Sequence, residues 1–298
     1  MTRSLSIIMA QVAPVEWDPA ATLEAYETYL VHVKAVVPST QLVIHPELHL
    51  TGLGRIDRPA PAGWSPRVLA QPIPGPLSER VGALAKRLGL WLVPGSIYEL
   101  GDDGRIYNTT IAVAPDGSIR ARYRKVFPWR PYERVAAGDE FVVFNLDGLG
   151  TAGLMICYDG WFPEVARQLA WLGAELILQP TATATIDRPQ EIILAQANAI
   201  ANQVFVANVN AAGEAGLGQS ALIDPEGRPI HIGGDGREMI TAVLDLDHVT
   251  RAREIGTAGL NRLWRQIDEE GGGATLPMYG GRIRPRTAAG GSTKMNPA

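Results

Sequence analysis

Cysteine occurs once in the 298-residue chain, at Cys157, so neither an intramolecular disulfide nor a cysteine zinc cluster can form. Cys157 ends the apolar run Gly153-Leu154-Met155-Ile156 and precedes Tyr158-Asp159-Gly160-Trp161-Phe162-Pro163-Glu164. One reading is an inert thiol packed as a small hydrophobe. The other is a nucleophile. A strand that ends in a tight turn into a helix exposes the side chain and leaves backbone N–H groups nearby to receive negative charge. Covalent catalysis by a thiol needs a base, and no histidine falls in a comparable motif. His45 and His49 have the i, i+4 spacing of a metal pair, but Pro46 lies between them just after a short strand, where helical facing does not apply. They read as loop histidines in ordinary hydrogen bonds, and no metal site is expected.

Carboxylates are the remaining bases. Glu47 follows Leu42-Val43-Ile44-His45-Pro46, so it is carried just past a buried strand, although exposure is the common fate of glutamate. Lys125 ends the run Ile119 to Arg124 and is one of four lysines, with Lys34, Lys86 and Lys294, in a chain that otherwise uses arginine. That choice points to a need for a compact ammonium, with a plain surface lysine as the alternative. Glu133 lies eight residues on, in Phe127-Pro128-Trp129-Arg130-Pro131-Tyr132-Glu133, where two prolines and a tryptophan stiffen the loop around a carboxylate. Serine-hydrolase, phosphate-loop and dinucleotide-binding motifs are absent, since Gly213, Gly216 and Gly218 lead into a strand rather than a helix.

The elements that position these residues alternate short β-branched runs with helical patterns. Strands are expected at Ser4 to Met9, Leu42 to Ile44, Trp91 to Tyr98, Tyr107 to Val113 and Ile119 to Arg124. Helices are expected over Pro19 to Val36, capped by Asp18, and Leu77 to Leu88, closed by Gly89. Thr51 to Pro76 reads as a Gly- and Pro-rich loop. The second half adds strands at Phe141 to Leu146, Thr151 to Cys157, Ala174 to Leu178, Val204 to Val209, Leu217 to Ile223, Arg228 to Ile232 and Glu238 to Asp245, with helices from Pro163 to Leu172 and Gln190 to Gln203. This alternation predicts an α/β protein of two mixed sheets packed face to face with helices outside, as one domain over 1–270. Residues 271–298, rich in Gly and Pro, read as a tail that is flexible or lies on a neighbouring subunit.

Composition narrows the partners. With 27 Lys+Arg against 31 Asp+Glu and a net charge of −4, no whole-molecule field favours nucleic acid. No apolar run is long enough to span a membrane, and the first ten residues do not read as a secretory signal. A cytoplasmic setting is expected.

Pro46-Glu47, Tyr123-Arg124-Lys125-Val126-Phe127-Pro128-Trp129 and Ile156-Cys157-Tyr158-Asp159-Gly160-Trp161-Phe162-Pro163-Glu164 resemble, in order and spacing, the three signatures of the nitrilase superfamily of carbon–nitrogen hydrolases. The resemblance runs from about Ser4 to Asp247. It implies a four-layer αββα sandwich and a reaction without metal or organic cofactor. It also implies Glu47 as general base and acid, Cys157 as nucleophile, and Lys125 with the Tyr158 N–H as stabilisers of the developing charge. Glu133 would position substrate and lysine, and Trp129, Trp161 and Tyr158 would contact substrate. Tyr158-Asp159-Gly160 and the loop ending at Glu133 are similar to amidase-like branches, so the expected substrate is a small carboxamide, converted through a thioester to acid and ammonia. A nitrilase or an N-carbamoyl amide hydrolase using the same residues is the alternative, and a non-catalytic small-molecule-binding homologue a further one. A homodimer or larger homo-oligomer is implied as well.

Overall fold

Alternation along the strands sets the architecture. In Ser4–Gln11 (β1), Leu5, Ile7 and Met9 face one way and Ile8 the other, and all are buried. A strand buried on both faces must lie in an internal layer. The computed structural model describes residues 3–54 and 58–269, together with 275–276 and 281–282. After β1 come α1 (Pro19–Val36), β2 (Leu42–Ile44), α2 (Pro66–Leu69), α3 (Pro76–Leu88), β3 (Trp91–Val93), β4 (Ser96–Leu100), β5 (Ile106–Val113) and β6 (Ile119–Arg124). Then follow β7 (Val142–Asn145), β8 (Thr151–Leu154), α4 (Pro163–Trp171), β9 (Leu176–Thr181), α5 (Arg188–Asn202), β10 (Phe205–Asn210), β11 (Ala221–Ile223), β12 (Pro229–Ile232), β13 (Glu238–Asp245), α6 (Asp247–Ile255) and α7 (Leu263–Glu269).

One sheet runs β13-β1-β2-β3-β5-β4, with β6 also paired to β5, and the other runs β12-β11-β10-β9-β8-β7. Both are mixed: β1, β2 and β3 are parallel, as are β8, β9 and β10, while the outer pairs are antiparallel. The inward residues Ile7, Leu42, Ile44 and Val93 of the first sheet share a core with Leu154, Leu176, Leu178 and Ala207 of the second. Residues one step out of phase, Ile8, Val43 and Leu92, pack under Tyr26 and Leu30 of α1 and Leu84 of α3. On the far side Ile177 and Val206 pack under Leu169 of α4 and Ala195 of α5. The fold is the expected four-layer αββα sandwich.

Element ends follow local chemistry. Asp18 accepts from the Ala21 N–H at 2.9 Å to start α1, and Gly89 at φ 64 ends α3 in the left-handed region. The run expected as one strand from Trp91 to Tyr98 divides into β3 and β4 at Pro94-Gly95. Gly95 sits at φ 85, and a Cβ there would overlap the Pro46 carbonyl, so only glycine lets this bend press against the turn that carries Glu47. The strand expected to reach Cys157 ends at Leu154, and Cys157–Trp161 forms a 3₁₀ turn. Three helices are additional to the sequence expectation: α2 lies within the Gly/Pro-rich stretch, and α6 and α7 follow the last strand. Only Val249 and Ala252 of α6 are buried, so its apolar periodicity is faint in the sequence. The expected tail falls outside the described residues except that Thr275–Leu276 pairs antiparallel with Gly281–Arg282.

Candidate active site

Four chain segments converge where β2, β6, β8 and β9 end. Glu47 follows β2, and its N–H donates to the Thr181 carbonyl at the end of β9, tying the two sheets together at 3.2 Å. The next residue, Leu48, is left-handed at φ 50 and its N–H donates to Ser96 Oγ at 3.0 Å. Lys125 follows β6, and its N–H donates to the Asn108 carbonyl of β5 at 2.8 Å. Cys157 opens the turn after β8.

Lys125 Nζ sits 2.8 Å from Glu47 Oε1 and 2.8 Å from Glu133 Oε2. The three side chains are 2%, 6% and 13% exposed, so this ion triplet is withdrawn from water. A buried lysine needs such partners, because an unpaired charge costs several kcal/mol. Asn108 ties the carboxylates together, its Nδ2 donating to Glu47 Oε1 at 2.8 Å and to Glu133 Oε1 at 2.7 Å. The Trp129 N–H holds Glu133 Oε2 at 2.9 Å. The sequence reading did not single out Asn108. Its signal is an amide side chain facing the interior of the otherwise buried β5.

Cys157 has φ 44, a left-handed conformation that a non-glycine residue holds only when its surroundings over-determine it. Two side chains do so. Gln179 Nε2 donates to the Cys157 carbonyl at 2.9 Å. The fully buried Asp159 accepts from the Ile156 N–H at 2.9 Å, the Phe127 N–H at 2.8 Å and the Tyr123 hydroxyl at 2.8 Å. One carboxylate thus locks the thiol turn to the segment after Lys125. The sequence assigns Asp159 no role, because two of its three partners, Tyr123 and Phe127, lie more than 30 residues away. The Glu47 carboxylate acts on the thiol through its charge. Thr183 Oγ1 lies 3.8 Å from Sγ and donates to Glu191 Oε2 at 2.6 Å, which in turn pairs with the wholly buried Arg188 at 2.8 Å.

Electrostatics follow from burial and the triplet. Burial pushes the Glu47 carboxyl above the usual carboxylate range, against the opposing pull of Lys125. Burial acts the same way on Glu133, but the Lys125 charge and hydrogen bonds from Lys125, Asn108 and the Trp129 N–H together hold it below that range. Burial lowers Lys125, yet the two carboxylates outweigh it and keep the ammonium charged. Burial and the Glu47 charge push the Cys157 thiol up. The resting site therefore holds a neutral thiol against a carboxylate of raised basicity, the combination a general base requires. Burial also raises Asp159 to about 6.

A cavity of about 450 Å³ opens over Cys157, Glu47, Lys125 and Glu133, and Trp129, Trp161 and Tyr158 line it. The structure thus brings every sequence-selected site residue to one place. The cavity is also lined by Trp17, Trp64 and Tyr98 from the first half of the chain, and by Arg58 and Arg134. Tyr158 is the second residue of its 3₁₀ turn, where the N–H has no partner within the turn and is free for an oxyanion.

The histidines differ from expectation. His45 and His49 are buried, and both ring nitrogens of His45 and Nδ1 of His49 lack hydrogen-bond partners. They pack instead with Tyr26 and Tyr29, His45 lying 4.6 Å from Tyr26 and 5.1 Å from His49 between ring centroids. Burial lowers both pKa values, His49 to about 3, so the rings are neutral core aromatics. Among the described residues, Asp224, Glu226 and His248 offer ligand atoms within 4.8 Å of one another. Their carboxylates are taken up by the N–H groups of Glu226, Arg228 and Ala258, and they do not line the cavity.

The fold and this cysteine–carboxylate–lysine arrangement define a hydrolase of the sandwich type, and comparison with known proteins names it. The chain matches the carbon-nitrogen hydrolase family over residues 7–254, and it belongs to that family. An omega-amidase of Xenopus tropicalis is 32% identical over 201 residues, 62% of this chain and 72% of that protein. A formamidase of Bacillus thuringiensis is 31% identical over 62% of this chain, a match that spans 54% of the formamidase. Among solved structures, a nitrilase-superfamily protein of Saccharomyces cerevisiae, from branch 10, superposes with TM-score 0.74 at 27% identity, covering 84% of this chain and 93% of that one. An amidase from Nesterenkonia sp. gives TM-score 0.70 at 26% identity over 83% and 92%.

Proposed function

We propose that the protein hydrolyses a small carboxamide to a carboxylic acid and ammonia through a thioester on Cys157. The observation that carries this reading is the Lys125 ammonium held between Glu47 and Glu133 in the same cavity as the thiol. Glu47 takes the thiol proton as sulfur attacks the carbonyl carbon. The oxyanion develops against the buried Lys125 ammonium and the Tyr158 N–H, donors already in place. Glu47 then delivers the proton to the departing nitrogen, and ammonia leaves with formation of the thioester. A water, deprotonated by Glu47, attacks the thioester carbon, and the released sulfur regains its proton. Glu133 holds Lys125 and the substrate amide in place, and Trp129, Trp161 and Tyr158 bound the acyl group. None of these steps needs a cofactor.

Amidase relatives support an amide over a nitrile, and the Nesterenkonia amidase has been crystallised with butyramide as a cysteine variant. The test is a matched series of amide, nitrile and N-carbamoyl compounds sharing one acyl group, followed by ammonia release. We expect kcat/KM for the amide at least ~10-fold above the nitrile, about 1.4 kcal/mol of transition-state stabilisation. Preference for the nitrile or the carbamoyl compound overturns the amidase assignment and leaves the roles of Glu47, Lys125 and Cys157 standing.

A cytoplasmic setting fits a chain with one free thiol; no helix among the described residues is long and apolar enough to cross a membrane. A homodimer or larger assembly is supported by an apolar stripe leading into and along α5. Ile193 and Ile200, 63% and 42% exposed, lie seven residues apart on one face of α5, and Ile186, in the turn just before it, is 95% exposed.

A further inference from the structure

Trp17 holds a backbone conformation that disfavours its own side chain, with φ 60. A bulky residue in the left-handed region marks a position where the surroundings impose the geometry, and such positions cluster at ligand clamps. Two glycines impose it here. The Trp17 N–H donates to the Gly52 carbonyl at 2.8 Å, and Gly52, at φ 67, lies so close to the Asp18 backbone that a Cβ would meet it at 2.9 Å. At Gly54 a Cβ would overlap the Trp17 indole, so the absent side chain is what admits the ring. The indole stands edge-on to Trp64, with centroids 4.7 Å apart and planes at 82°. Trp64 is fixed in turn by a hydrogen bond from Nε1 to the Thr51 carbonyl at 3.3 Å and lies 6.4 Å from the Tyr98 ring.

This array belongs to the cavity wall. Trp17 is only half-buried and joins none of the buried clusters that hold the sandwich together, yet Trp17, Trp64 and Tyr98 all line the cavity that contains Cys157. A second aromatic pair, Trp129 and Tyr132 with centroids 4.4 Å apart, lines the same cavity from the loop that ends at Glu133. Fixed indole and phenol rings offer quadrupole contacts to another flat ring that a saturated chain of equal size cannot return. We propose that the acyl group of the substrate carries a flat aromatic ring, with Trp17 and Trp64 as the residues that select it. This rests on the amidase reading above and adds the class of acyl group to it.

The test compares phenylacetamide with cyclohexylacetamide and butyramide by ammonia release. The first two share a carbon skeleton and a CH₂ beside the carbonyl, so they differ in flatness and π-character and not in reach. The expected result is kcat/KM for phenylacetamide at least ~10-fold above both others. In Trp17→Ala the phenylacetamide-to-cyclohexylacetamide ratio should fall towards one, chiefly through KM, and Trp17→Phe should restore part of it. Equal rates for the two ring amides, or a preference for butyramide, overturn the inference while leaving the amidase reading intact. Ammonia from none of the three amides, with ammonia released from a matching nitrile, overturns both. Should Trp17→Ala fail to fold by circular dichroism, the wild-type ratio and Trp17→Phe still decide the matter.

Discussion

A lysine ammonium enclosed by two carboxylates has little freedom to be replaced. Its position, 2.8 Å from an oxygen of each, suits a compact point charge, whereas a guanidinium is a broad planar fork that displaces one partner or the oxyanion. Lys125→Arg should therefore lower kcat at least ~100-fold, the scale of losing one oxyanion donor. A near-normal rate would show that Lys125 serves only charge balance. Glu47 sets the pH dependence. Because it must be ionised in the free enzyme to accept the thiol proton, kcat/KM falls as pH drops through its pKa. Burial places that pKa above the ordinary carboxylate value, so the acid limb should have its midpoint above ~4.3. A midpoint at or below that value contradicts Glu47 as the base, and the raised Lys125 predicts no loss of the ammonium at neutral pH. At this scale Glu47, Lys125, Cys157 and Glu133 stood out as candidates because each stands at a strand end or in a stiffened loop, and the resemblance of the three motifs is what set them above their structural alternatives. Asn108 was not, because its two carboxylate partners lie 61 and 25 residues away in sequence.

The site is assembled by turns more than by strands. The 3₁₀ turn at Cys157–Trp161 keeps its left-handed first residue because Asp159 gathers three donors from two segments. Asp159→Asn keeps the shape but places an NH₂ among those donors and leaves one of them unsatisfied. A buried unsatisfied donor costs about 1–3 kcal/mol. We expect kcat to fall at least ~10-fold with KM little changed, and alkylation of Cys157 by iodoacetamide to slow in parallel. Unchanged alkylation and turnover would show that the turn holds without the carboxylate. Most strands and the three long helices α1, α3 and α5 were legible from periodicity and caps, since Asp18 and Gly89 act where their chemistry predicts. The break at Pro94-Gly95 was not, because its reason is contact with Pro46, a tertiary effect. The short α2 and the sparsely buried α6 carry too little apolar pattern to be read.

On the scale of the whole molecule, the two-sheet sandwich places the ends of β2, β8 and β9 side by side, so that a base from one sheet meets a nucleophile from the other. Fold class was legible because strands buried on both faces, such as β1, β9 and β10, require covering layers. The proposed association surface was not, since Ile193 becomes conspicuous only when the helix shows which face it leaves bare. Ile193→Asp puts a charge in the centre of that stripe and should lower the mass in solution to that of one chain by light scattering. An unchanged oligomer moves the interface elsewhere.

The central claim is that Cys157 forms a covalent acyl intermediate with an amide. Intact-mass spectrometry of acid-quenched protein during turnover of phenylacetamide or butyramide tests it most directly. The account predicts an increment equal to the acyl group less one hydrogen, mapped to the peptide containing Cys157, and absent from Cys157→Ala, which should also release no ammonia. Ammonia release by Cys157→Ala, or an acyl adduct mapped to another residue, would contradict it.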